Sequence, residues 1–332
     1  MREEKEMCEF SKKIFTKIEE IFSKKLPKKI AVALSGGSDS LALTLLLAEF
    51  CCERNIELVA LTVDHKMRQA SQTEARELTK TLAKKKISHQ ILEISQQKIP
   101  TKNIEANLRE ARYELLCGFC AKNKIKFLFL GHHLGDVAEN FLIRLFRGSG
   151  LDGLSTIAQT LERDGVTLAR PLLDVNKDKL KEFLCAQKMT WFEDETNRDE
   201  KFLRNKIRKF LSEFPEKNFI EKRIKNAADE ITKMRDLFNE QMQLEAAQVV
   251  AEEAAGSFLI NLEKLKKTEE KIALKMLALL LMKVGKKKYK PRLEKLKNFY
   301  RAILETPNFK RKNFYGCMVE KAVNGDLRLR KE

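Results

Sequence analysis

From Lys28 to Gly148 the chain alternates between two hydrophobic rhythms. Short apolar or β-branched runs, IAVAL (30–34), ELVALTV (57–63), HQILEI (89–94) and KFLFLG (126–131), suit strands buried on both faces. Between them apolar positions recur with a helical period over 39–53, 71–86, 104–122 and 135–147. Such alternation predicts parallel β-α-β units and a doubly wound, Rossmann-like α/β sheet over residues 28–215. Ahead of it, Phe10, Ile14, Ile18 and Ile21/Phe22 mark one face of an N-terminal helix within residues 1–27. RGSGLDGLS (147–155) is a glycine-rich joint, ARPLLDV (169–175) reads as a short extended segment, and KDKLKEFLCAQK as a helix. After Pro215 the pattern turns to long heptad-like stretches, which predict a smaller helical domain over 216–304. The tail, 305–332, alternates and carries the hairpin signal Asn324-Gly325.

Composition narrows the class. With 332 residues, 43% hydrophobic and 34% charged, the chain can build two soluble domains, each with its own core. A formal net charge of +17 predicts an anionic partner, nucleic acid before a membrane surface. The surplus is uneven: Lys283–Lys312 holds twelve Lys or Arg against two Glu, interleaved with Tyr289, Phe299 and Tyr300. That is the composition of a surface tracking a phosphate backbone, with Lys286, Lys287, Lys288 and Arg292 as its expected contacts. No secretory signal is read in the N-terminal helix, and the longest apolar runs are too short to span a bilayer. Seven scattered cysteines suit a reducing cytoplasm better than a disulfide framework, so a cytoplasmic location with no membrane and no protein partner is expected. Cys117-x-x-Cys120 lies within a helical pattern and reads as core filling rather than a metal or redox pair.

The chemistry begins where the first strand ends, at Ser35-Gly36-Gly37-Ser38-Asp39-Ser40. Two glycines permit a sharp turn and close backbone approach, and a helix starting there points free N–H groups at an anion. The hydroxyls of Ser35, Ser38 and Ser40 add donors, and Asp39 can bind the magnesium that accompanies a pyrophosphate. No Gly-Lys-Ser/Thr follows, so the lysine-bearing phosphate loop is missing. An ordinary glycine turn with Ser/Asp helix capping is the plainer alternative.

S-G-G-x-D-S resembles the mark of the PP-loop ATP pyrophosphatases. Five further segments, TVDHKMR (62–68), EANLREARYELL (105–116), GHHLGDVAENFLIRLFRGSGLDGL (131–154), ARPLL (169–173) and WFEDETNRDEKFLRNKIR (191–208), follow in the order found in the tRNA(Ile)-lysidine synthetase family. The resemblance implies a two-step reaction on the wobble cytidine of an isoleucine tRNA with a CAU anticodon. ATP adenylates its C2 oxygen with loss of pyrophosphate, and free L-lysine then displaces AMP. Activation is needed because an amide-like oxygen is a poor leaving group and AMP a good one.

The resemblance also assigns roles. Asp136 and Glu139, three apart on a helix, are expected to face the lysine substrate and offset its ammonium charge; a solvated acidic face pairing with Arg144 or a lysine is the alternative. Here Gly135 stands where the family carries a second acid beside Asp136, and Asn140 where it carries Thr. Arg112 is expected to stabilise charge at the α-phosphate or cytidine, while Arg109 reads as a surface ion-pair residue. Asp64 and His65 are expected to contact adenosine or only to finish their strand, and His132 to line the nucleotide pocket or to hold a structural hydrogen bond. Arg204, Asn205 and Arg208 are placed at the cleft near nucleotide or tRNA, against a merely solvated helix. Three rivals remain: a related tRNA thiolase, a small-molecule amidating enzyme, and a nucleotide- or RNA-binding protein without catalysis.

Overall fold

The computed structural model describes residues 2–23, 25–64, 69–94, 104–192, 203–254, 256–306 and 309–332. The chain divides into two compact units, Met1–Thr232 and Lys233–Glu332. The first unit runs α1 (Arg2–Ile21), β1 (Lys29–Ala33), α2 (Ser38–Arg54), β2 (Glu57–Asp64), α3 (Gln69–Lys84), β3 (Ser88–Glu93), α4 (Ile104–Lys122) and β4 (Phe127–Phe129). It continues with α5 (Leu134–Phe146), α6 (Leu151–Leu154), β5 (Thr160–Arg163), β6 (Val166–Ala169), α7 (Lys177–Ala186) and α8 (Leu203–Ser212). Helix α9 (Lys217–Val249) begins in this unit and ends in the next, so the boundary expected near 215 falls just before a continuous helix.

The six strands lie in the order β3-β2-β1-β4-β6-β5. All neighbouring pairs are parallel except β5–β6. The period-two rule divides the strand residues between two cores. Ile30, Val32 and Phe129 pack with α1, α2 and α7 on one face. Ala31, Leu128 and Leu130 pack with Tyr113, Leu116, Cys117 and Cys120 of α4 on the other. The spacing of Ile14, Ile18 and Phe22 does put all three into the first core. Burial pushes the Cys120 thiol up to about 12 and raises Cys117 as well, so the C-x-x-C pair fills core as expected.

Strand order reverses between β1 and β4, so the loops leaving these strands flank a crevice at their carboxyl ends. One departure from the expected sheet is the antiparallel β5–β6 hairpin. Its turn, Asp164-Gly165, has φ of 52° and 77°, the left-handed pair of a type I′ turn. The Asp-Gly signal was present in the sequence, but the strands beside it are four residues each.

The second unit corrects the expectation of a helical domain with a separate tail. Besides α10 (Leu262–Lys267), α11 (Glu270–Gly285) and α12 (Leu293–Glu305), it contains β7 (Val250–Ala254), β8 (Ser257–Ile260), β9 (Arg311–Phe314), β10 (Cys317–Lys321) and β11 (Leu327–Lys331). These strands form an antiparallel sheet in the order β7-β8-β11-β10-β9. The Ala/Glu-rich stretch around 250–254 has helical composition, and cross-strand pairing overrides it. The expected hairpin over Asn324-Gly325 does join β10 to β11. Val319, Leu327 and Leu329 from the tail pack against Leu277, Leu281 and Phe299, so residues 309–332 belong to this core.

Leu329→Ala is therefore expected to cost about 2–5 kcal/mol, because its side chain is fully buried. Urea unfolding of the full chain checks this; an unchanged transition would mean that the tail does not hold the unit together.

Candidate active site

The Ser35–Ser40 turn leaves β1 and enters α2 at the crevice. Gly36 has φ +87°, and a Cβ there would come within 3.2 Å of Leu78 and Phe192. Its carbonyl accepts from the Phe192 N–H at 3.1 Å. The turn is tied across its base: the Ser35 N–H donates to Ser40 Oγ, the two hydroxyls lie 3.1 Å apart, and Ser40 Oγ donates to the Gly37 carbonyl. Gly37 caps α2 without any side-chain bond, which leaves the helix's first N–H groups for an anion.

Gly131, one residue past Leu130 in the neighbouring loop, lets this turn sit where it does. A Cβ on it would lie 3.0 Å from the backbone N and Cα of Ser40. Gly131→Ala is expected to cost roughly 1–3 kcal/mol and to raise the KM for ATP by displacing the helix start. Gly118, open on α4 with nothing within 4 Å, is the control. Gly118→Ala is expected to stabilise by about 0.5–1 kcal/mol. Thermal unfolding of the two variants distinguishes close approach from simple helix propensity.

His133 connects the turn to the carboxylates. Its Nδ1 accepts from the Gly135 N–H at 3.0 Å, and its own N–H donates to Asp136 Oδ2, closing a capping box on α5. The ring's other nitrogen, Nε2, lies 3.5 Å from Asp39 Oδ2 and 3.8 Å from Asp136 Oδ2. Lys177 Nζ approaches the same Asp39 oxygen at 3.7 Å. One imidazole thus spans the Ser35–Ser40 turn and the carboxylate pair.

Asp136 and Glu139 are buried, not a solvated face, and their partners are arginines of α8. Arg204 bonds Asp136 and also reaches Glu139 Oε2 at 2.7 Å, while Arg208 grips both Glu139 oxygens at 2.8 and 3.2 Å. Burial opposes ionisation of Asp136, but His133 and Arg204 beside it hold its carboxyl below the ordinary range. Arg144 is not the partner: it donates to Asn140 Oδ1 and to the Gly153 carbonyl.

Gly135 has a reason of its own. A Cβ there would lie 2.8 Å from His133 Cε1 and 3.3 Å from Glu221 Oε1. Glu221, on α9, is a buried third carboxylate whose pKa is raised, chiefly by burial and also by Glu139. Sequence reading missed it because nothing in its local pattern separates it from the exposed acids of a long helix.

A family model described as a PP-loop domain matches residues 10–214. The tRNA(Ile)-lysidine synthase of Wolbachia sp. subsp. Brugia malayi is 34% identical over 297 residues, covering 88% of this chain and 68% of the relative. The enzyme of the same name from Orientia tsutsugamushi is 33% identical over 302 residues, covering 89% and 68%. The chain belongs to the tRNA(Ile)-lysidine synthase family. Membership makes it an ATP-dependent ligase on a PP-loop domain and decides against the thiolase, amidating and non-catalytic readings. Among solved structures, the U34-tRNA thiolase NcsA from Methanococcus maripaludis aligns with TM-score 0.55 at 20% identity, covering 66% of this chain and 79% of that one; this likeness shows the fold alone.

Within this lysidine synthase family member, other expected site residues are spread more widely. Asp64 is buried at the carboxyl end of β2, and His65 lies outside the described residues. His132 is largely enclosed, burial lowers its pKa to about 4, and its Nδ1 has no hydrogen-bond partner among the described residues. Arg112 lies 5.5 Å from the Tyr113 ring centre and Asn205 sits half-buried on α8. Arg109, expected to form surface ion pairs, pairs with no described carboxylate and lies 5.8 Å from the same ring. In the second unit Lys286, Lys287, Lys288 and Arg292 are exposed around the turn between α11 and α12. Of the interleaved aromatics only Tyr289 is exposed; Phe299 and Tyr300 fill the core. No helix among the described residues is long and apolar enough to cross a membrane.

Proposed function

We propose that this chain ligates free L-lysine to C2 of the wobble cytidine of a tRNA(Ile) with a CAU anticodon. The cytosine C2 oxygen attacks the α-phosphorus of ATP, and the α–β bridging P–O bond breaks with its electron pair leaving on pyrophosphate. The lysine ε-nitrogen then attacks C2, the C2–O bond breaks, AMP departs, and the amine gives up a proton.

In this reading the Ser35–Ser40 turn holds the departing phosphates through Gly36, Gly37 and the free start of α2. Asp39 is partly exposed at that position. Mg²⁺ takes one or two protein carboxylates together with substrate phosphates, so a single carboxylate suits it there, and when bound it neutralises phosphate charge. Asp136 and Glu139, kept in place by Arg204 and Arg208, present carboxylate oxygens to which a lysine ammonium can hydrogen-bond in place of an arginine. Arg112 contributes charge at the α-phosphate, and Asp64 and His132 line the nucleotide pocket. The exposed cations Lys286, Lys287, Lys288 and Arg292 hold tRNA by its backbone.

The observation that carries the proposal is the imidazole of His133 standing between Asp39 of the nucleotide turn and Asp136 of the carboxylate pair. That arrangement suits two successive displacements at one place. Incubation with ATP, radiolabelled lysine and the isoleucine tRNA transcript tests it. The expected result is label in the RNA, one pyrophosphate per lysine, and a mass increase of one condensed lysine at the wobble nucleotide. Incorporation without ATP, or none with all three present, would refute it.

A further inference from the structure

The buried ring of Tyr113 on α4 is surrounded by arginines. Arg109, Arg112 and Arg163 place their guanidiniums 5.8, 5.5 and 4.9 Å from its centre. Arg170, just past β6, donates to the Ala158 carbonyl at 2.8 Å and is near enough to Tyr113 for the two groups to interact electrostatically. Arg144 joins from α5; burial lowers the pKa of Arg144, Arg170 and His132, and the charge of Arg109 nearby lowers each further. Among the described residues only Arg163 of this group has carboxylate partners, Glu110 at 2.9 Å and Asp164 at 3.4 Å. Arg109, Arg144 and Arg170 pair with no described carboxylate.

Holding like charges together away from water is unfavourable unless an anion completes the set. One buried atom carries the same message. Arg170 is 6% exposed and its Nε–H has no partner among the described residues. A buried polar group normally finds a partner, so an orphaned guanidinium N–H within a cationic cluster points to a missing acceptor-rich ligand. Guanidiniums suit phosphate in particular.

The anion need not be ATP's departing phosphates. Those have their own cradle at the start of α2, on the sheet face opposite α4. The cluster instead grades outward from buried Arg170 to exposed Arg109, as a strand arriving from solvent would require. His132 ties it to the reaction, being adjacent to His133 and close enough to Asp136 to feel its charge.

We infer that Arg109, Arg144 and Arg170 form a phosphodiester site that grips the RNA strand beside the nucleotide being modified. This rests on the proposed reaction at the neighbouring carboxylates and adds a positioning site to it. The test is Arg109→Ala in the full chain, a change at an exposed side chain that leaves the core intact, with Arg109→Lys beside it. Filter binding of the tRNA transcript over a salt series, and separate KM values for RNA and ATP, are the readouts. Arg109→Ala is expected to weaken RNA binding about tenfold and to flatten the log–log salt slope by about 0.7–0.9, with the KM for ATP within about twofold. Arg109→Lys is expected to recover most of the loss.

A rise in the KM for ATP with RNA affinity unchanged would assign the cluster to the nucleotide and overturn the inference. No change in either would reduce the arginines to packing on Tyr113, which also overturns it. RNA binding is measured directly, so failure of the unaltered chain to transfer lysine would strike the reaction and leave this test standing.

Discussion

Asp39→Ala is expected to lower lysine transfer about a thousandfold or more and to stop pyrophosphate release with it. The side chain lies at the first turn of α2, partly exposed, facing His133 and Lys177. It fills no core, so the unfolding temperature should move little: one carboxylate near a helix N-terminus contributes about 0.3–1 kcal/mol. RNA affinity should stay within about threefold, because the cations proposed to hold RNA phosphates lie elsewhere. Asp39→Asn, which keeps the shape and removes the charge, should fall nearly as far. Single-turnover lysine transfer and a thermal melt decide it; retention of more than about a tenth of the activity would remove Asp39 from the chemistry.

Glu139→Gln should injure both activity and stability. The Glu139 carboxylate is 5% exposed and uses both oxygens to hold Arg204 and Arg208. An amide keeps the volume but turns one acceptor into a donor aimed at a guanidinium. The two arginines are 41% and 33% exposed, so water screens part of the loss. A cost of about 1–3 kcal/mol follows, visible as a lower unfolding temperature. Lysine transfer should fall about a hundredfold, with the KM for lysine rising more than the KM for ATP. Equal loss of stability with an unchanged KM for lysine would make the pair a structural clasp for α8 and no part of the lysine site.

The Ser35–Ser40 turn could be read from its residues because the requirements there are local. A buried strand, two glycines and a helix start fix a backbone shape whatever surrounds them. Gly36 at φ +87° and the uncapped start of α2 are what that string demands. The same holds for the Asn324-Gly325 hairpin and the buried strands β1, β2 and β4. The partners of Asp136 and Glu139 were not readable. Spacing on α5 showed that the two carboxylates share a face, but that the facing charges are Arg204 and Arg208 depends on how α8 packs on α5, through Ala138, Ile207 and Leu211. Glu221, and Arg163 and Arg170 beside Tyr113, were hidden for the same reason, since their elements meet only after folding.

The second unit failed differently. Its short strands contain charged residues at alternate positions, Glu252, Arg328 and Arg330 among them, and local composition favoured helix over part of the stretch. Register across five strands outweighed that preference, as it does whenever pairing and burial act over longer range than backbone propensity.

Residue order alone thus specified the parallel sheet, the glycine turn after β1 and the chemical identity of the groups around it, because periodicity and glycine geometry act between near neighbours. Three-dimensional packing decided which charges meet, why position 135 has no room for a side chain, and that the last strands close a core. Those outcomes are set by contacts between distant segments, and their energies exist only once the segments are brought together.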